Sequence, residues 1–136
     1  MDDRTRFLIL SLGGESYALP ITRLLEITAS RVTQQDPTEA EMFEGKVEFR
    51  GRLIPVVNIK KIFKLPGALG ETLLVINGVK GMIGLLVDTV IEILNTEQKP
   101  VAMPQGIINP GLKYFSGILR HKENLVLLLN EDGLQP

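Results

Sequence analysis

Two long stretches of this chain carry the same order of apolar residues, glycines and glutamates at one fixed offset. Shifted by 66 residues, Phe7-Leu8-Ile9-Leu10 falls on Leu73-Leu74-Val75-Ile76. At that offset Gly13-Gly14-Glu15 falls on Val79-Lys80-Gly81, and Tyr17-Ala18-Leu19-Pro20-Ile21 on Ile83-Gly84-Leu85-Leu86-Val87. Leu24-Leu25-Glu26-Ile27 falls on Val90-Ile91-Glu92-Ile93, and Phe49-Arg50-Gly51-Arg52-Leu53 on Phe115-Ser116-Gly117-Ile118-Leu119. Added residues around His121 then move the offset to 72, where Val56-Val57-Asn58 meets Leu128-Leu129-Asn130. An offset that survives across separated motifs marks a duplicated unit whose copies bury their apolar faces together. In this alignment the counterpart of Arg50 is Ser116.

The repeated unit is made of strands. The apolar runs Phe7–Leu12, Tyr17–Ile21, Leu24–Ile27, Leu53–Val57, Leu73–Ile76, Met82–Val87, Val90–Leu94 and Leu125–Leu129 are short, rich in leucine and β-branched residues, and bounded by Gly, Asn, Asp or Pro. Side chains alternate along a strand, so Leu8, Leu10 and Leu12 point one way and Phe7 and Ile9 the other. Strands that are apolar on both faces need cover on both. The expected fold is all-β, two packed five-stranded barrels related by the repeat. It forms a single domain over residues 1–136, with units at about 6–65 and 72–134, a short connector near Pro66–Gly70, and strands free to cross between units. Short helical turns are expected at Pro37–Phe43 with Asp36 as N-cap, at Ile59–Phe63 and at Pro110–Phe115.

Composition removes most chemistry. There are no cysteines and one histidine, which excludes thiolate metal sites, a cysteine nucleophile and a histidine-rich zinc centre. No phosphate loop and no Gly-x-Ser-x-Gly elbow is present. Asp36 to Glu44 lacks the spacing of a calcium loop and reads as a solvated acidic stretch. His121 lies in a polar hairpin tip and reads as an exposed turn residue. Lys60, Lys61 and Lys64 form a small basic cluster near Arg50 and Arg52. The net charge is −1 and aromatics are 5%, so phosphate neutralisation and base stacking both lack their usual residues. Tyr17 and Phe7 read as core. The amino terminus has neither a basic start nor a long apolar stretch, and no run approaches the ~20 residues of a membrane span. The expectation is a soluble cytoplasmic protein with no catalytic residues, no cofactor and no metal, whose function is protein–protein binding at a seam between barrels.

Several segments resemble one known family. Glu48-Phe49-Arg50-Gly51-Arg52-Leu53-Ile54-Pro55-Val56-Val57-Asn58-Ile59 is similar to the CheW-family pattern N-L-R-G-x-I-x-P-V-x-D-L. Gly84-Leu85-Leu86-Val87-Asp88-Thr89-Val90-Ile91-Glu92-Ile93 resembles its G-L-x-V-D-x-V-x-E-V, and Tyr17 to Ile27 its Y-A-L-P-I-x-x-V-x-E-I. Tyr114–Gly117 and Leu125–Asn130 fit its closing hairpin. The resemblance implies two SH3-like five-stranded barrels. It implies a non-catalytic adaptor that couples the cytoplasmic tips of methyl-accepting chemoreceptors to the regulatory domain of a CheA-type histidine kinase, monomeric when free and recruited to membrane-associated receptor arrays without entering the membrane. Its receptor-contacting positions fall on Leu24, Glu26, Gly45, Arg50, Val87 and Val90.

Each of these residues also has a plain structural reading. Leu24, Val87 and Val90 suit a core, Glu26 and Glu92 share a repeat position, and Gly45 suits a backbone conformation closed to other residues. Arg50 stands apart because its aligned counterpart is a serine. The chain departs from the family pattern at Glu48 and Asn58, where the family has Asn and Asp, and at Phe49, where it has Leu. Glu44 precedes the motif glycine at a position often neutral or basic. Glu44 and Glu48 are therefore candidates for setting partner choice through charge. The other class open to these residues is a β-barrel ligand- or oligonucleotide-binding protein unrelated to chemosensory signalling.

Overall fold

The computed structural model describes residues 4–29, 43–67, 70–103 and 113–134. The strands are β1 (Thr5–Leu12), β2 (Glu15–Pro20), β3 (Leu24–Ala29), β4 (Phe43–Phe49), β5 (Arg52–Asn58), β6 (Thr72–Gly78), β7 (Gly81–Val87), β8 (Thr89–Thr96), β9 (Val101–Ala102), β10 (Phe115–His121) and β11 (Asn124–Leu129). Two single-turn helices, α1 (Ile59–Ile62) and α2 (Glu131–Leu134), complete the described elements. The turn expected at Ile59–Phe63 is α1, capped by Asn58. Most of the turn expected at Pro37–Phe43 lies outside the described residues, and Phe43 opens β4. Of Pro110–Phe115, residues 113 and 114 form a short 3₁₀ segment and Phe115 starts β10. Among the described residues no helix is long and apolar enough to cross a membrane.

The strands form a six-stranded sheet in the order β8-β1-β2-β11-β10-β9 and a five-stranded sheet in the order β3-β6-β7-β5-β4. The sixth strand is the two-residue β9. Each sheet draws strands from both halves of the chain, so residues 6–65 and 72–134 each contribute to both. Each sheet also contains one parallel pair, β2 with β11 and β5 with β7, and all its other pairings are antiparallel.

Period-two alternation sorts the core into three layers. Leu8, Leu10 and Leu12 of β1 join Leu74 and Ile76 of β6 and Ile83, Leu85 and Val87 of β7 in one cluster that both sheets share. Phe7 and Ile9 point the opposite way, into the six-stranded sheet's own core with Ala18, Leu119, Val126 and Leu128. Leu73, Val75 and Leu86 likewise fill the five-stranded sheet's core with Val47, Phe49, Ile54 and Val56. Tyr17 packs half-buried on the shared cluster, where its ring meets Phe63 and Phe115.

The duplication continues through both closing hairpins, at an offset that differs from the sequence alignment. β4 and β10 correspond at 72 residues along their whole length, because both carry a bulge at the same place, Phe43/Gly45 and Phe115/Gly117. Both hairpins turn on two residues with positive φ, Arg50 (51°) and Gly51 (78°) in one and Lys122 (48°) and Glu123 (67°) in the other, as two-residue hairpin loops require. The counterpart of Arg50 is therefore Lys122 and not Ser116, and the added residues precede β10 rather than surround His121. Offsets of 66 and 72 differ by an even number, so the apolar alternation of a strand matches at either.

The chain passes from the five-stranded to the six-stranded sheet between β7 and β8, at Asp88. Its Oδ1 lies 2.8 Å from Lys60 Nζ on α1, and its Oδ2 accepts the Gly13 N–H from the β1–β2 turn at 2.8 Å. Its N–H donates to the Ser11 carbonyl at 3.0 Å, and its carbonyl accepts from Thr72 Oγ1 at 3.2 Å. Four segments from both sheets thus converge on one residue. The Lys60 side chain is only 11% exposed, so withdrawing its carboxylate is costly. Asp88→Ala is expected to destabilise the protein by about 3 kcal/mol in denaturant unfolding. Lys60→Met in the Asp88→Ala background should recover part of that loss.

Candidate functional site

The positions marked by the sequence fall into two neighbourhoods. Leu24 and Val90 are repeat counterparts at the starts of β3 and β8, and both pack half-buried on the cluster between the sheets. Val87 belongs to the same cluster and is fully buried. Its side chain has no face to offer a partner, so its effect on docking would be to shape the seam beneath Leu24 and Val90. Gly45 sits in the β4 bulge with φ 145°, a conformation that disfavours any side chain.

The second neighbourhood is a cleft of about 240 Å³ between β3 and β4, the edges of the five-stranded sheet. Glu26, Thr28 and Ala29 line it from β3, Val47, Glu48 and Phe49 from β4, and Leu73 and Val75 form its floor. Glu26 and Glu48 are exposed, and among the described residues neither is in an ion pair. Arg50 follows directly on β4, in the β4–β5 turn. Its guanidinium lies 4.7 Å from the centroid of the Phe49 ring, within cation–π range.

Glu44 belongs to neither neighbourhood. Its Oε2 accepts from Asn58 Nδ2 at 3.2 Å and lies 3.1 Å from Lys61 Nζ, and the side chain is only 15% exposed. The extra charge expected of it beside the docking groove is neutralised within the fold. This pairing also accounts for Asn58, because the family's Asp there would set two carboxylates against each other. The basic cluster of Lys60, Lys61 and Lys64 is dismantled in the same way, with Lys60 bound to Asp88 and Lys61 to Glu44.

His121 is not the exposed turn residue expected. It ends β10 with its side chain 11% exposed, and its Nε2 lies 2.6 Å from Glu92 Oε1. Lys122 Nζ lies 3.5 Å from Glu92 Oε2. The hydrogen bond to His121, helped by the charge of Lys122, holds the Glu92 carboxyl below the usual carboxylate range. These contacts clasp β8 to β10, strands that are not neighbours in the sheet. Sequence reasoning missed the clasp because the partners are 29 residues apart and meet only when the sheet curls.

Exposed apolar side chains recur at repeat-equivalent positions. Leu25 and Ile27 on β3 match Ile91 and Ile93 on β8, and Leu53 on β5 matches Leu125 on β11. Val101 and Leu125 also border a groove of about 470 Å³ with Ile118, Lys99, Arg120 and Lys122.

Two outcomes follow from this geometry. Asn58→Asp should cost about 2 kcal/mol at neutral pH, since it removes a buried donor and adds a like charge beside Glu44, and Glu44→Gln should relieve most of that cost. For Glu92, the folded-state pKa lies below the unfolded one. Its stabilisation is therefore present above the ordinary carboxylate pKa and lost as pH falls through the lowered value. Thermal melts of wild type and Glu92→Gln should differ at neutral pH and converge in acid.

A family model described as a CheW-like domain matches residues 6–135. The chain is 24% identical over 137 residues to the chemotaxis protein CheW of Treponema pallidum, covering 95% of this chain and 81% of that protein. It is 23% identical over 132 residues to the chemotaxis protein CheW of Klebsiella aerogenes, covering 94% and 80%. The crystal structure of the scaffolding protein TtCheW from Thermoanaerobacter tengcongensis superposes with a TM-score of 0.83 at 22% identity, over 96% of this chain and 91% of that one. With two sheets of the same architecture and a family match over nearly its whole length, the chain belongs to the CheW-like domain family.

Proposed function

We propose that this chain is a non-catalytic adaptor that couples the cytoplasmic tips of transmembrane chemoreceptors to the regulatory domain of a CheA-type histidine kinase, in the cytoplasm at receptor arrays. The observation that carries this reading is the recurrence of exposed apolar side chains at equivalent places on both sheets. Isolated exposed leucines are ordinary, but matched sets on two related faces suit a protein that holds two partners at once. The family membership and the names of the relatives, chemotaxis and scaffolding proteins, point the same way. The barrel-to-barrel contact expected of such an adaptor falls to these rims, and the receptor contact to Leu24 and Val90 at the junction of the sheets with Glu26 and Arg50 at the β3–β4 cleft. Val87 supports Leu24 and Val90 from within the shared cluster, and Gly45 shapes the β4 bulge. The specificity role suggested for Glu44 and Glu48 narrows to Glu48, the one whose carboxylate is not held within the fold. The oligonucleotide-binding alternative loses its main residues to the Lys60–Asp88 and Lys61–Glu44 pairs.

The adaptor reading is tested by capture of the regulatory domain of the source organism's chemosensory kinases with the folded chain. Failure with every such kinase overturns it. Arg50 gives a finer test. Its side chain stands on a turn and touches the Phe49 ring, so Arg50→Ala should change stability by no more than about 1 kcal/mol. Binding to a receptor-tip hairpin should weaken by about 2 kcal/mol, as for an interface anchor. An Arg50→Ala chain that binds the hairpin normally removes Arg50 from the receptor surface.

A further inference from the structure

We propose that the cleft between β3 and β4 is a slot for a lysine or arginine side chain delivered by a partner protein. The internal repeat supplies the comparison, because the same seam exists in both sheets and, among the described residues, is closed in only one. In the six-stranded sheet the seam lies between β8 and β10. Leu94 of β8 packs into the core beneath it, and Glu92 is engaged by His121 and Lys122 above. In the five-stranded sheet the equivalent of Leu94 is Thr28, the equivalent of Glu92 is Glu26, and Phe49 and Arg50 stand at the positions of His121 and Lys122. The inward face of β8 is half-buried at residues 92 and 94, whereas β3 is exposed at the equivalent residues 26 and 28.

Three replacements distinguish the open seam from the closed one, where Gln98 also bonds the Arg120 N–H and carbonyl and β9 pairs with β10. Thr28 leaves the space that Leu94 fills. Phe49 has no nitrogen to offer Glu26, and it is 7% exposed in the core of its own sheet. The Arg50 guanidinium lies over the Phe49 ring and forms no ion pair with Glu26, whereas Lys122 reaches toward Glu92. What remains is a small cleft bordered by the largely buried side chains of Val47, Phe49, Leu73 and Val75, with Glu26 and Glu48 at its mouth. Lysine and arginine match that shape, since an aliphatic stem lies along apolar surface while the charged head stays at the rim. The cation that Lys122 provides within the chain on one sheet, beside the His121 hydrogen bond, would come from outside on the other. This deepens the adaptor reading and rests on it for the partner being a protein; the chemistry of the slot rests on the repeat alone.

The test uses the ¹⁵N-labelled full chain titrated with the capped peptide Thr-Val-Lys-Val-Thr, its norleucine counterpart, and butylammonium. The lysine peptide should shift the amides of Glu26, Thr28, Glu48, Phe49 and Val75. The norleucine peptide should bind at least tenfold more weakly. Thr28→Leu, which restores the residue type of the closed seam, should weaken the lysine peptide at least tenfold, and so should Glu26→Gln with Glu48→Gln. The carboxylate pair is exposed, so that variant remains informative if Thr28→Leu does not fold. Equal binding of the lysine and norleucine peptides, or full affinity in the double glutamine variant, overturns the slot. Butylammonium binding as tightly as the peptide overturns the protein partner and leaves a small-amine site. If the kinase is captured and the peptide shifts nothing, the slot alone fails. If the peptide binds and no kinase is captured, the adaptor reading alone fails.

Discussion

Strands β1, β5, β6 and β7 carry apolar side chains on both faces, and the rest of the architecture follows from the need to cover them. A sheet with one wet face would expose either Leu8, Leu10 and Leu12 or Phe7 and Ile9. Curling each sheet buries one set in its own core, and packing the sheets together buries the other in the shared cluster. The shared cluster is the larger constraint, because it draws on both sheets and both halves of the chain. Leu24, Val87 and Val90 belong to it or rest on it. A surface built at this seam is therefore tied to the packing of the whole molecule.

Asp88 fixes how the two sheets meet. It binds the β1–β2 turn, α1 and the start of β6 where the backbone changes sheet. Hydrophobic burial holds the layers together without fixing their rotation, whereas directional bonds to a partly buried carboxylate do both. The same economy appears at Glu44, which joins β4 to Asn58 and to Lys61 of α1. Charges that look like a surface pattern in the sequence are spent on joining elements. The carboxylates at the β3–β4 cleft, by contrast, are in no ion pair among the described residues.

The duplication separates positions that both copies keep from positions where they have diverged. Where both copies keep a feature, such as the bulges at Gly45 and Gly117 or the positive-φ turns at Arg50 and Lys122, the barrel requires it. A basic residue on the turn is thus common to both copies. What sets Arg50 apart is its neighbour Phe49, which draws the guanidinium onto its ring, whereas Lys122 lies beside His121 and Glu92.

The sequence by itself determined the strands, their alternation, the two-faced burial of β1 and the duplication, because these depend on side-chain polarity at short separations. It also carried the family resemblance through motifs that lie along single strands. Only the tertiary structure decided which halves share a sheet, since pairing depends on how connections cross and not on local pattern. It decided the hairpin register as well, because offsets of 66 and 72 preserve the same alternation and only the matching bulges and turns distinguish them. It placed Val87 out of a partner's reach, tied Glu44 into the fold and gave His121 a carboxylate 29 residues away. Charges pair through space, so a one-dimensional reading of Glu44, Lys60 and His121 could give their type but not their partners.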